Sequence, residues 1–191
     1  MGIDGSCISM GDEEELVSEF GRSELQNGEN RFPIGRVVFG FMLNTMGLVG
    51  HKVGSYRTSE NALFGKLMEE LLPGDLIVGD RRFAGAKLFV EYRQKGLEFI
   101  IRAHPRLKVG SLKVVNILGN NDLIVEVLIP KVYRRKDPTL PEVINVRAIK
   151  TEAKIQGKKE SFWLMTFCWI VRNILQRRLN YCTKRDGKWR D

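Results

Sequence analysis

The chain has 191 residues, of which 43% are hydrophobic and 28% are charged, and its net charge is +8. This length and composition suit a globular protein of one domain with a substantial core. No apolar run reaches the length of a membrane span, no secretory signal opens the chain, and three cysteines with two histidines argue against disulfide frameworks and histidine-rich metal sites. We therefore expect a cytoplasmic protein without a membrane partner.

The charge is distributed unevenly. Residues 1–30 hold eight acids and one base, a balance of −7, so the total of +8 leaves +15 for the other 161 residues. A basic body of this size is typical of proteins that bind phosphate backbones, and it is equally typical of a solvated basic surface. Charge alone leaves both interpretations open.

The first part of the chain predicts three strands. Residues 1–9 form a short strand-like segment, and the acidic stretch 11–21 predicts a loop with one helical turn. Residues 34–43 and 48–53 are rich in apolar and β-branched side chains and flank an Asn-Thr-Met-Gly turn, which predicts a hairpin.

A helix follows, in which apolar residues recur every three to four positions over residues 59–72, with Thr58 or Ser59 as N-cap. Pro-Gly then breaks the helix, and residues 76–78 predict a strand that is buried on both faces. After it, Gly79 allows backbone or ligand to approach closely.

A second helix is predicted over residues 84–95, which stops at Gly96, and residues 97–101 predict another strand. Alternation of strand and helix predicts parallel strands joined by right-handed crossovers. These strands would extend the three antiparallel strands that come first.

A β-rich insertion is predicted next. Short β-like runs occur at residues 113–117, 123–129 and 143–149, and residues 162–166 resemble a strand that returns to the core. The insertion is basic, since residues 131–159 hold nine Lys or Arg against three acids.

Asp80 is the first candidate site residue, because it stands at the carboxyl end of a predicted strand. Ligands collect at this edge of open α/β sheets. The alternative is that Asp80 simply caps the next helix. Other residues of the chain are needed to distinguish a ligand-binding role from a capping role.

The order of elements predicts an α/β, ribonuclease H-like mixed sheet with a β-rich insertion. In such a fold the first and fourth strands are neighbours, so Asp4 and Asp80 would face each other. Two carboxylates without a nearby histidine or thiol favour Mg²⁺ or Mn²⁺. We divide the chain into a catalytic core (1–103), the insertion (104–160), the returning strand (161–166) and a tail (167–191).

From about Ile3 to Thr166 the sequence also resembles the bacterial DDE transposases of the insertion-sequence-four type. Three segments carry the resemblance: Asp-Gly-Ser at 4–6, Gly-Ser-Tyr-Arg-Thr-Ser-Glu at 54–60, and Leu-Pro-Gly-Asp-Leu-Ile-Val-Gly-Asp-Arg-Arg-Phe at 72–83. The last is the most specific. Family members usually read Ala-Asp-Arg-Gly-Phe there, so Arg82 is a departure.

The resemblance implies that Asp4 and Asp80 are the first and second metal-binding, catalytic acids. It also implies that the insertion contacts double-stranded DNA, both transposon ends and target, and it allows a dimer in the intact family member. The DNA-binding candidates are the basic residues nearest to these features: Arg81, Arg134, Arg135, Lys136, Lys158 and Lys159. For Arg81 an ordinary surface role at a helix start is an equal alternative.

The family's third acid belongs to a Tyr-x-x-Arg-x-x-x-Glu motif, which this chain lacks. In a shifted reading frame, each new codon consists of the third base of one codon and the first two bases of the next. Residues 167–170 must then read Leu-Leu-Asp, residues 180–182 must read Leu-Leu, and suitable codons continue as Tyr-x-x-Arg-Trp-x-x-Glu. We therefore expect a frameshift near Phe167; the alternative is a favourable choice of codons.

The sequence thus predicts a fragment of a transposase catalytic domain, inactive because the third acid is missing. The start at Met1 likewise implies that an N-terminal DNA-binding region of the family is absent. One alternative is a non-catalytic DNA-binding remnant that at most interferes with an intact transposase. Another is a ribonuclease H-like nuclease of a different kind, which would not explain the shifted motif.

Overall fold

A computed structural model describes residues 1–22, 32–155 and 157–167. The fold is mixed α/β, and its nine strands belong to a mixed sheet, which confirms the expected fold class at this level. Among the described residues no helix is both long enough and apolar enough to cross a membrane. The predictions for the tail beyond Phe167 lie outside the described residues.

The elements have the following bounds. The strands are β1 Gly2–Ser9, β2 Ile34–Phe41, β3 Leu48–Ser55, β4 Leu76–Gly79, β5 Glu98–Arg102, β6 Lys113–Gly119, β7 Asp122–Leu128, β8 Val143–Ile155 and β9 Lys158–Thr166. The α-helices are α1 Glu14–Phe20, α2 Glu60–Met68, α3 Ala86–Gln94 and α4 Lys131–Lys136. The chain divides into two compact units, one of residues 1–83 and 94–97 and one of residues 84–93 and 98–191.

The first unit is built on the strand order β3-β2-β1-β4. β2 pairs antiparallel with both β1 and β3, whereas β1 and β4 run parallel with Gly2 opposite Val78. The predicted hairpin is therefore present. The first and fourth strands are neighbours, as expected from the order of elements.

Helix α2 covers the strands of this unit with one apolar face. The Ser59 hydroxyl accepts a hydrogen bond from the Ala62 N–H at 3.1 Å, so Ser59 is the N-cap, one of the two residues predicted for this role. The helix buries four side chains, Leu63, Phe64, Leu67 and Met68, and it packs on β2 and β3. It ends at Met68, four residues earlier than expected, because the backbone hydrogen bonds that follow join residues three positions apart instead of four.

A turn at Pro73 and Gly74 leads into β4. Gly74 adopts a φ of 91°, and the Asp75 N–H donates to the Leu72 carbonyl at 3.0 Å. In β4 only Ile77 is fully buried, whereas its neighbours are half-buried, so the expectation of burial on both faces is wrong for one face.

The second unit has the order β5-β9-β8-β7-β6 with antiparallel neighbours throughout. Its aromatic core joins α3 to β5, where the Phe89 and Phe99 rings stack at 5.0 Å between centroids and Tyr92 lies 5.0 Å from Phe99. Burial raises the pKa of the Tyr92 hydroxyl well above its ordinary value.

An ion pair is buried between β7 and β8. The Arg147 Nε and Nη2 donate to the two Asp122 carboxylate oxygens, each at 2.9 Å. The side chains are 7% and 2% exposed. A bidentate pair satisfies both charges at once, and loss of either partner would leave the other charge buried.

Two features of this unit differ from the sequence prediction. Helix α4 was not predicted, because its six residues are largely exposed and carry no apolar period; its signal is Pro130 just before the helix. β8 and β9 are longer than predicted, because their added residues at 150–155 and 158–161 are mostly polar and lack a continuous apolar run.

We predict opposite effects of two glycine-to-alanine substitutions in the first unit. A Cβ at Gly79 would lie 2.8 Å from Ile3 Cγ1, so Gly79→Ala should lower the free energy of unfolding by about 1–3 kcal/mol through overpacking. A Cβ at Gly65, inside α2, would meet nothing within 4 Å, so Gly65→Ala should raise it by ~0.5–1 kcal/mol. Urea denaturation measures both, and equal effects would contradict the close packing of β1 against β4.

Candidate functional site

The two candidate metal-binding acids lie on neighbouring strands. Asp4 is on β1, and Asp80 directly follows the last residue of β4. The parallel register sets Gly2 opposite Val78. Asp4 comes two residues after Gly2, and Asp80 comes two residues after Val78, one residue past the end of β4. Residues two apart share a face of a strand. Both side chains are exposed.

Each of these carboxylates accepts one local hydrogen bond. The Arg82 N–H donates to Asp80 Oδ1 at 2.7 Å, and the Gly5 N–H donates to Asp4 Oδ1 at 2.8 Å. Asp80 therefore caps the short turn of 3₁₀ helix at Arg81–Phe83, which is the plain role considered for it. A carboxylate can accept about four hydrogen bonds or ligands, so capacity remains on both acids.

Glu60 is a third acid in this neighbourhood. A Cβ at Gly5, the residue after Asp4, would lie 2.7 Å from Glu60 Cδ. The Glu60 side chain is only 13% exposed, and its Oε1 accepts from Arg82 Nη1 at 2.6 Å. Glu60 ends the motif at 54–60, yet nothing in the sequence indicated that it pairs with Arg82.

The described residues contain no group of three or more His, Cys, Asp or Glu side chains that could hold a metal ion. The pair of Asp4 and Asp80 therefore has no third protein ligand within that part of the chain. Its chemistry, two exposed carboxylates with spare acceptor capacity, fits hard cations that keep water ligands, such as Mg²⁺ and Mn²⁺.

The cations predicted to contact DNA lie in three places. Arg81 is exposed and follows Asp80 directly. Three more lie on α4, where Arg134 already bonds the Ile129 carbonyl at 3.2 Å and the Glu142 carboxylate at 3.3 Å. On the same helix Arg135 and Lys136 are exposed.

Lys158 and Lys159 begin β9, next to the end of β8. Lys158 is exposed, whereas Lys159 pairs with Glu152 at 2.5 Å. Helix α4 lies near the start of β8, since its Arg134 contacts Glu142. The thirteen residues of β8 separate the two clusters by roughly 40 Å, so they do not form one patch.

An acid also reduces the positive charge of the basic cluster on α4, which consists of Arg134, Arg135 and Lys136. Asp137 follows the helix and accepts from the Thr139 hydroxyl at 2.5 Å and from its N–H at 3.0 Å. These hydrogen bonds, the side-chain bond foremost, hold the pKa of Asp137 below its ordinary value. The carboxylate therefore stays ionised next to the helix.

A cleft that the sequence did not indicate lies in the second unit. Its volume is about 360 Å³, and its lining includes Arg102, His104, Lys108, Phe162 and Trp163. His104 Nδ1 accepts from the Arg106 N–H at 3.1 Å, which fixes the proton of the neutral ring on Nε2. The cleft is thus basic and aromatic.

Comparison of the chain with known protein families gives no match, and comparison with curated proteins gives none either.

Proposed function

We propose that the chain is a fragment of a DDE-type transposase catalytic domain, with two of the three metal-binding acids and no strand-transfer activity. One observation carries the proposal: the parallel strands β1 and β4 are neighbours, and Asp4 and Asp80 each come two positions after the paired residues Gly2 and Val78. Two carboxylates placed in this way fit a cation site better than two acids that lie far apart on the surface.

The strand order of the first unit supports the same proposal. Three antiparallel strands followed by a fourth that is parallel to the first is the arrangement expected of a ribonuclease H-like core. Since no known family matches, the fold and the motifs at 4–6, 54–60 and 72–83 carry the assignment together.

In this proposal Asp4 and Asp80 hold Mg²⁺ or Mn²⁺. Such ions, when bound, stabilise the attacking and leaving oxygens of an in-line phosphoryl displacement. The Arg82 N–H fixes one oxygen of Asp80, and the Glu60–Arg82 pair ties the following turn to α2. Arg81, exposed directly beside Asp80, supplies a positive charge for a DNA phosphate.

The second candidate function is a DNA-binding remnant without a metal site. It is favoured by the observed cap, because a capping role alone would account for an aspartate at residue 80. The two candidates differ in what the Asp80 carboxylate binds, since the remnant needs no cation there. Metal binding therefore distinguishes them.

We predict that Asp80→Asn and Asp4→Asn each weaken Mn²⁺ binding about tenfold or more, measured by the loss of the free-ion signal in electron paramagnetic resonance. Asparagine retains the capping oxygen, so the fold should survive while the charge is lost. Asp137→Asn is the matched control, because Asp137 also accepts from an N–H two residues ahead, that of Thr139. If Asp80→Asn binds Mn²⁺ as the unsubstituted chain does, Asp80 is only a cap.

We predict no strand transfer by residues 1–191 with Mg²⁺, because a metal pair that lacks one protein ligand should lose most activity. The assay joins an oligonucleotide that carries the DNA flanking the gene to a supercoiled plasmid. Product above that of an Asp80→Ala variant would contradict the assigned inactivity.

The proposed loss of the third acid is tested on the gene itself. The nucleotide sequence from codon 167 onward, read in the shifted frame, should continue into a helix-forming segment that contains Glu. A stop codon or an unrelated segment in that frame would show that there was no frameshift.

A further inference from the structure

The strands β8 and β9 continue beyond their neighbours as a two-stranded ribbon. β7 pairs with β8 only as far as Ile149, and β5 pairs with β9 only from Leu164 onward. β8 and β9 pair with each other from Arg147–Thr166 to Ile155–Lys158. Over residues 151–155 and 158–162, the ladder partners within the described part of the chain therefore come only from the other strand of the ribbon.

Exposure agrees with this geometry. Every residue whose burial is described between 150 and 163 is half-buried or exposed. Five residues on each strand make the ribbon about 17 Å long, and its width is that of two paired strands. An isolated two-stranded hairpin is only marginally stable in water, so a ribbon of this kind gains from a partner that covers it.

One face of the ribbon is basic. Lys150, Glu152 and Lys154 alternate along β8 and so share a face. Their partners across the ladder are Trp163, Ser161 and Lys159, respectively, which lie on that face too. The result is a row of lysines with an aromatic side chain at its base.

The acids of the ribbon are already paired. Glu152 pairs with Lys159 at 2.5 Å, and Glu160 pairs with Arg102 at 3.0 Å. Lys150 and Lys154 on the basic face, and Lys158 on the opposite face, form no ion pair with the described residues. With four lysines against two glutamates, the ribbon has a net charge of +2.

Further positive charge lies at the base of the ribbon. The basic and aromatic cleft is lined by Ser161, Phe162 and Trp163 of β9 and by Arg102, His104 and Lys108. Arg102 lies 4.7 Å over the Phe162 ring, so its guanidinium is held in place. A polyanion on the ribbon would reach these groups as well.

We propose that this ribbon, residues 150–155 and 157–163, enters the major groove of duplex DNA. The major groove of B-DNA is about 12 Å wide and admits a two-stranded ribbon, whereas the minor groove is about 6 Å wide and takes a ribbon only when the duplex is deformed. The lysines then meet phosphates along the groove, and the ribbon covers about five base pairs. The inference rests on the proposed DNA-binding function and adds the element and the groove.

The first experiment measures binding to a labelled 20-base-pair duplex by fluorescence anisotropy over a range of salt concentrations. Lys150→Gln and Lys154→Gln, the two unpaired lysines of the basic face, are combined in one variant. The control variant combines Lys66→Gln and Lys95→Gln, which removes the same charge from exposed lysines outside the ribbon that form no ion pair with the described residues. Thermal melts by circular dichroism confirm that both variants fold.

The ribbon variant should bind at least tenfold more weakly than the unsubstituted chain near 0.1 M salt. Its slope of log affinity against log salt should be shallower by about 1.8, since each of the two phosphate contacts contributes about 0.9. The control variant should change affinity less than threefold. Equal losses in both variants would overturn the ribbon as the binding element and leave DNA binding intact.

The second experiment identifies the groove. Methylation of guanine N7, which lies in the major groove, should weaken binding of the unsubstituted chain, and the minor-groove ligand netropsin should not compete. Competition by netropsin with no effect of N7 methylation would overturn the groove assignment alone. No binding of the unsubstituted chain to duplex would overturn both this inference and the proposed function.

Discussion

The parallel pairing of β1 with β4 is the constraint on which the candidate site depends. The Val78 N–H donates to the Met1 carbonyl at 2.8 Å, and the Ile3 side chain fills the space that Gly79 leaves open. This contact joins the strand that carries Asp4 to the strand that directly precedes Asp80, although the two aspartates are 76 positions apart in the sequence. A larger residue at 79 would push the strands apart directly before Asp80. The glycine that seemed to leave room for a ligand instead leaves room for a core side chain.

Local patterns predicted the elements whose signals are strong. The apolar period of α2, a cap at Thr58 or Ser59, and the hairpin of β2 and β3 were read directly from the sequence. The adjacency of β1 and β4 was inferred from the order of the elements. The outer parts of β8 and β9 were missed because they face solvent, and exposed strands carry no apolar run. Helix α4 was missed for the same reason.

The site itself was only partly accessible from sequence. Asp4 and Asp80 could be paired because strand order implies adjacency, but side-chain partners depend on three-dimensional packing. The Arg82 guanidinium reaches back 22 positions to Glu60. One oxygen of Asp80 caps a turn, and the carboxylate still has capacity for a second partner. A capping role and a ligand role are therefore compatible at this position.

The buried pair of Asp122 and Arg147 has a consequence for the ribbon. Because strands alternate faces, a slip of β7 against β8 by one residue would turn one member of the pair to the opposite face and leave its charge buried alone. Such misalignment is strongly penalised. The pair thus fixes the register of β7 against β8. Since Lys150 lies three residues beyond Arg147 on the same strand, this register also determines which face of the ribbon carries the lysines.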